Sequence, residues 1–445
     1  MEYQQQIHEY IHQRREEILD TLKELVKIPS VRTEAGEKSP FGTSCAKVLK
    51  YTKELYAQNG LETELDEDGG YLLSYYGEGE KTLGLFAHGD VVPVNNDWVF
   101  TSPFDPIEKN GYLIGRGVKD DKSAIVLSLY CAKMLKELAL PFSSRLVCFT
   151  GANEETGMQD MKNYLKKHTA PDFSLVCDTA FPLFRGNKGS LQFFATQKEP
   201  MDRVRSFSGG TAFNIILGEA TAEIGNSTYT EKGISRHGAL PEGSLNAAYV
   251  LAKRLLQCDL LSEYDRAQMQ FISTVLEKYY GEIYGITHTD PDFGKLTVTN
   301  GIVKMNDGRI SLSFDMRYGA SVDIEDAKRK IVAFFNANGW VVDFVSEAPP
   351  FIVPEDDQYI VACMETYKSF TNQQTAKPYV NAGGTYARYL PRAAEIGTWM
   401  GGETNALNLP QGHGHVHQPD ECISIEGLMN AIEITVLMLM ECDKV

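Results

Sequence analysis

The sequence contains no Cys-x-x-Cys pair, no apolar run near the roughly 18 residues a membrane-spanning helix needs, and no excess of positive charge. Its eight cysteines, Cys45, Cys131, Cys148, Cys177, Cys258, Cys363, Cys422 and Cys442, lie far apart, and several sit inside apolar runs. They are read as buried, reduced and structural rather than as a disulfide framework. Lys and Arg number 43 against 60 Asp and Glu, a net charge of -17 that argues against a nucleic acid or an anionic membrane surface as partner. The opening MEYQQQIHEYIHQRREE has no apolar segment of the kind a secretory signal carries, so the expected location is cytoplasmic. Low-complexity stretches and internal repeats are also missing. What is there is a chain of 445 residues, 43% hydrophobic, long enough for two or three structural units.

Strand-like runs alternate with helical ones through the first part of the chain: TLGLFAHGD, a helix near 122–138, RLVCFT, a helix near 158–168, then SLVCD. This pattern predicts a mostly parallel sheet flanked by helices, an α/β domain with ligands gathering beyond the carboxyl ends of its strands. Ahead of it the apolar spacing predicts one helix over 7–28, a second over 44–59, and two strands joined by Gly69-Gly70. From about Leu191 the pattern changes. QFFATQ, AFNIILG, LTVTNGIV, RISLSFDMRY and WVVDFVSEA read as strands, with helices expected near 244–258, 265–280 and 324–338. The expectation is an α+β insert over 186–351 inside a discontinuous domain formed by 1–185 and 352–445, which helices at 355–370 and 425–442 complete.

His88 and Asp90 follow TLGLFA, Asp120 and Asp121 follow the strand-like GYLIGRG, Glu154 and Glu155 follow RLVCFT, and Asp178 follows SLVC. If those strands are parallel, the residues share one edge, and so many carboxylates repel one another unless cations neutralise them. Carboxylate and imidazole together suit Zn²⁺, Mn²⁺ or Co²⁺, and two ions can share a bridging carboxylate. Each pair alone could be no more than a helix-capping acid; their joint placement is what points to metal. GHGHVHQPDE adds His413, His415 and His417, which alternate and would share a face if extended.

These strings resemble the co-catalytic metallopeptidases that include glutamate carboxypeptidase, aminoacylase and carnosinase. The matching stretches run in order along nearly the whole chain: HGDVVPV at 88–94, Trp98 with SPF at 102–104, GRGVKDDK at 115–122, NEETG at 153–157, DTAFP at 178–182, RHGALPEGSLNA at 236–247 and HQPDE at 417–421. SGGTAFN at 208–214 and GGTYAR at 383–388 look most like the bacterial dipeptidase PepV type within that family. Ser123, Asn153 and Cys177 stand where the family commonly has glycine, aspartate and proline.

The resemblance implies two divalent ions, with Zn²⁺ expected and Mn²⁺ or Co²⁺ as alternatives. His88 and Asp178 would hold one, Glu155 and His417 the other, and Asp120 would bridge them across a cis peptide to Asp121. Asp90 would orient the ring of His88. Glu154 would serve as general base for a water activated by the ions, passing the proton on to the leaving amine. On the insert, read as a closing lid, His237 would stabilise the oxyanion, and Asn214, Arg317 and more distantly Arg388 would hold the substrate carboxylate. The implied activity is that of a dinuclear metallopeptidase cleaving dipeptides or short peptides with a free amino terminus, with an N-acyl amino acid deacylase or carboxypeptidase, and then a non-catalytic metal-bound binding protein, as alternatives. A small peptide is the expected partner, and a monomer is expected over a homodimer.

Overall fold

The computed structural model describes residues 3–400 and 407–445. The chain divides into two compact units, Met1–Gly186 with Val353–Val445, and Asn187–Ile352.

In the first unit the apolar runs form the middle of a twisted sheet. Strand order is Glu62–Asp66, Tyr71–Tyr76, Arg145–Gly151, Thr82–His88, Phe173–Ala180, Ala393–Trp399 and Phe184–Asn187. The four strands from Arg145–Gly151 to Ala393–Trp399 run parallel, and the flanking pairs are antiparallel. Near-continuous burial along the central strands requires helices on both faces. Helices Lys122–Glu137 and Ile425–Asp443 pack side by side, with Cys131 Sγ 3.9 Å from the Ile432 carbonyl, and are buried along nearly their whole length. Each fully buried Leu, Ile or Phe contributes roughly 1.5 to 3 kcal/mol relative to exposure, so these helices anchor the layer.

Three sequence expectations differ from the fold, and one strand had no expectation. The helix expected over 7–28 is two helices, Gln4–Gln13 and Arg15–Val26, because Arg14 leaves the helical register, lays its guanidinium over the Tyr10 ring and bonds Glu137. GYLIGRG does not join the main sheet. Tyr112–Ile114 sits in a separate three-stranded antiparallel sheet with Ile107–Lys109 and Cys422–Ser424, which tethers the segment before Asp120 to the segment after His417. AFNIILG is no strand: Gly301 lies under the carbonyls of Ala212, Phe213 and Ile215, too close for any side chain, so this segment packs on a loop instead of a ladder. The parallel strand Ala393–Trp399 carries a buried Glu395 and reads poorly as a strand, yet it completes the sheet.

The second unit is built on Gly189–Gln197, whose alternating burial marks one face toward a core. It pairs antiparallel with Arg309–Tyr318 on one side and Trp340–Ala348 on the other. Helices Ala247–Leu255, Glu263–Leu276 and Ile324–Ala337 contribute to the same core, which centres on Phe193, Phe314, Phe335 and Trp340. A smaller antiparallel sheet comprises Val204–Ser208, Glu219–Ile224 and Ser227–Lys232. Among the described residues no helix is long and apolar enough to cross a membrane.

Candidate metal centre

The parallel register brings strand ends together before any side chain is considered: His88 pairs with Gly151 across the sheet, and Asp178 lies near the end of the next strand. His88 is fully buried, with Nε2 3.1 Å from Asp120 Oδ1 and 3.6 Å from Asp178 Oδ1. His417 Nε2 lies 3.0 Å from the other oxygen of Asp120 and 3.1 Å from Glu155 Oε2. The two oxygens of Asp120 thus face different imidazoles, which is the geometry of a bridge. Glu154 joins His88 and Asp178 with ligand atoms all within 4.8 Å of one another, and Glu155 does so with His88 and Asp120.

These atoms fit divalent cations. Among the described residues His88 Nε2, Asp120 Oδ1 and Glu155 Oε1 are buried with no hydrogen-bond partner, whereas buried polar atoms ordinarily have one. His88 Nδ1 lies 3.0 Å from the main-chain carbonyl of Asp90, so an Nδ1–H donor there leaves the Nε2 lone pair for a metal. Electrostatics agree. Burial, followed by the charge of Asp178, pushes Glu154 well above the usual carboxylate range. Burial, followed by Asp120, pushes Glu155 up to about 7. Burial followed by Asp120 also raises Asp178. At His417 burial opposes the cation, but hydrogen bonds to Asp120 and Glu155 overcome it and raise the imidazole to about 11. Protons would balance the charge of such a cluster, and two divalent ions would do so at neutral pH.

The Asp90 carboxylate lies 3.4 Å from His88 Nδ1, beside the ring as expected but farther than the Asp90 carbonyl at 3.0 Å, and it also accepts the main-chain N–H groups of Glu154 at 3.1 Å and Glu155 at 3.2 Å. The Asp120–Asp121 peptide is cis. The three alternating histidines are not extended on one face: His413 Nδ1 bonds Asp420 at 2.7 Å, His415 is exposed, and His417, with a positive φ of 65°, alone reaches the cluster. Arg388, in the first unit, folds its guanidinium over Gly384.

In the second unit Gly238 N–H donates to the Asn214 carbonyl at 2.7 Å and Ile215 pairs with His237, so His237 and Asn214 are neighbours. Arg317 is buried, with Nε 2.7 Å from Asp315 Oδ2.

Sequence reasoning gave no role to Glu421 and passed over Asp160 and Tyr386. Glu421 is buried and accepts the N–H groups of Gly117, Lys119 and Asp120 on one oxygen and Arg116 Nη1 on the other. It fixes the backbone from which Asp120 projects. The signal was present in HQPDE, where an acid closes the string that supplies His417.

Residues 84–441 match the model of Peptidase family M20/M25/M40. The chain belongs to that family. By that assignment this M20 chain is a metallopeptidase. Proteins of Staphylococcus aureus and Staphylococcus saprophyticus named "Putative dipeptidase" are 26% identical to it, covering 96% and 94% of this chain and 97% and 95% of theirs. The fold is similar to that of human carnosine dipeptidase 1, at a TM-score of 0.64 and 14% identity over all of both chains. It is likewise similar to the dipeptidase Dug1p of Saccharomyces cerevisiae, at 0.63 and 13% identity over 99% of both.

Proposed function

We propose that this M20 peptidase hydrolyses dipeptides or short peptides with a free amino terminus, with Glu154 as general base. The observation that carries the reading is the division between adjacent glutamates: Glu155 Oε2 lies against His417, while Glu154 groups with His88 and Asp178. The names of the sequence relatives support the dipeptide class.

His88 and Asp178, Glu155 and His417, with Asp120 between, would hold two divalent cations, of which Zn²⁺ is our first choice. When bound, such ions polarise the scissile carbonyl and make a nearby water more acidic. Glu154 takes a proton from the attacking water on its carboxylate and delivers it to the leaving nitrogen. Asp90 holds the main chain of both glutamates still. The resemblance makes His237 our candidate for stabilising the oxyanion, and Asn214, Arg317 and Arg388 our candidates for binding the substrate carboxylate.

Purified protein supplied in turn with Zn²⁺, Mn²⁺ and Co²⁺ is to be assayed against a dipeptide panel and N-acyl amino acids. Turnover of free-amine dipeptides is expected. Preference for the acylated compounds would make the chain a deacylase of the same chemistry, and no turnover with any metal would remove the reading.

A further inference from the structure

The loop carrying the two glutamates is held in an unusual way. Four consecutive main-chain N–H groups are bound by two buried carboxylates. Asp160 Oδ2 accepts from Ala152 at 2.7 Å and Asn153 at 2.8 Å, and Asp90 takes the next two, Glu154 and Glu155. Asp160 is fully buried in the first turn of helix Gln159–Lys167. The same oxygen that binds Ala152 and Asn153 also accepts Tyr386 Oη at 2.6 Å, while Asp160 Oδ1 accepts Met161 N–H. Among the described residues no lysine or arginine pairs with Asp160; hydrogen bonds hold the charge, three from the main chain and one from the phenol.

Tyr386 is 1% exposed and reaches this point from GGTYAR, a string far away in the sequence. Its ring stands edge-on to His88, 6.5 Å between centroids, and edge-on to Phe149 at 5.4 Å. Gly151, the last residue of its strand, lies so close to Tyr386 Oη and Asp160 Oδ2 that a Cβ would collide with both. The phenol is therefore seated against the metal-facing end of the sheet, with its hydroxyl aimed at the carboxylate that holds the loop.

We propose that Tyr386 and Asp160 form a positioning pair which, together with Asp90, locks the main chain of residues 152–155 and so aims Glu154 and Glu155 at their separate partners. Neither residue touches the reacting atoms. Part of this inference rests on the reading of Glu154 as general base; the locking of the loop does not.

Tyr386→Phe removes only the hydroxyl. In metal-free protein, amide hydrogen exchange over residues 151–157 is expected to be about tenfold faster in the variant, the scale of one lost charge-assisted hydrogen bond, while Thr82–His88 keeps its protection. In Zn²⁺-loaded protein kcat is expected to fall about tenfold with KM and bound metal per chain unchanged. Unchanged exchange at 151–157 overturns the proposal. Faster exchange with unchanged kcat, or a fall in kcat that tracks lost metal, overturns its catalytic half. Retained activity in Glu154→Gln strikes the general-base assignment instead and leaves the exchange result standing. Should Tyr386→Phe not fold, Asp160→Asn carries the same comparison.

Discussion

Asp265, Asp290 and Asp315, all buried in the unit Asn187–Ile352, each meet donors suited to a carboxylate. Asp315 takes Arg317 Nε and Gln192 Nε2, Asp265 takes the N–H groups of Asp202 and Arg203, and Asp290 takes three N–H groups and the Ser321 hydroxyl. Burial raises Asp290, but these bonds win and hold it down at about 2. At the strand ends of the first unit the outcome is reversed. Glu154, which is buried, and Glu155 and Asp178, which are partly buried, stand among one another and histidines, and all three are pushed up. A buried acid with donors is a structural part, and acids set against acids form a site suited to cations.

That contrast can be broken by experiment. The largest effect is expected from Glu154→Gln, which keeps shape and removes the base: kcat should drop by about 10² to 10⁴, with metal content unchanged by elemental analysis. Full retained activity would make Glu154 one more structural acid. Arg317→Met should leave Asp315 charged and buried without its cation and lower unfolding stability by about 3 to 5 kcal/mol in chemical denaturation. A neutral result would mean that Asp315 is satisfied by hydrogen bonds alone.

Glu421→Gln should weaken metal binding by about 10- to 100-fold in calorimetric titration, because it loosens the backbone that presents Asp120. The smallest effect is expected from Asp290→Ala, about 2 kcal/mol at pH 7. Since the folded pKa of Asp290 lies below its ordinary 3.8, its contribution is present above 3.8 and is lost as pH falls toward about 2. The stability gap between wild type and variant should therefore shrink over that interval, and a constant gap would place the effect elsewhere.

Much of the site was legible because metal chemistry restricts residue type. Histidine and acids at the ends of apolar runs, repeated along the chain, suit little besides the holding of cations, and the residues so chosen do converge: His88, Asp120, Glu154, Glu155, Asp178 and His417. The route by which Asp120 arrives was not legible. A three-residue strand such as Tyr112–Ile114 looks the same in sequence whether it joins the large sheet or a small one. Nor could alternation in HGHVH show that Asp420 claims His413, since that depends on a turn in which Gly414 N–H reaches the Pro419 carbonyl. Tyr386 and Asp160 escaped notice for a similar reason: a lone tyrosine and a helix-start acid are common, and only their shared bond is informative.

The order of apolar runs, the kind of ligand at each strand end and the acidic balance were set by the sequence itself, because periodicity and side-chain chemistry are local properties. Which histidine reaches Asp120 and which acids hold the loop of residues 152–155 were decided by tertiary structure. Those choices depend on distances between residues as far apart as Asp160 and Tyr386, and on whether a buried charge meets a donor or another acid, and neither is defined until the chain has closed on itself.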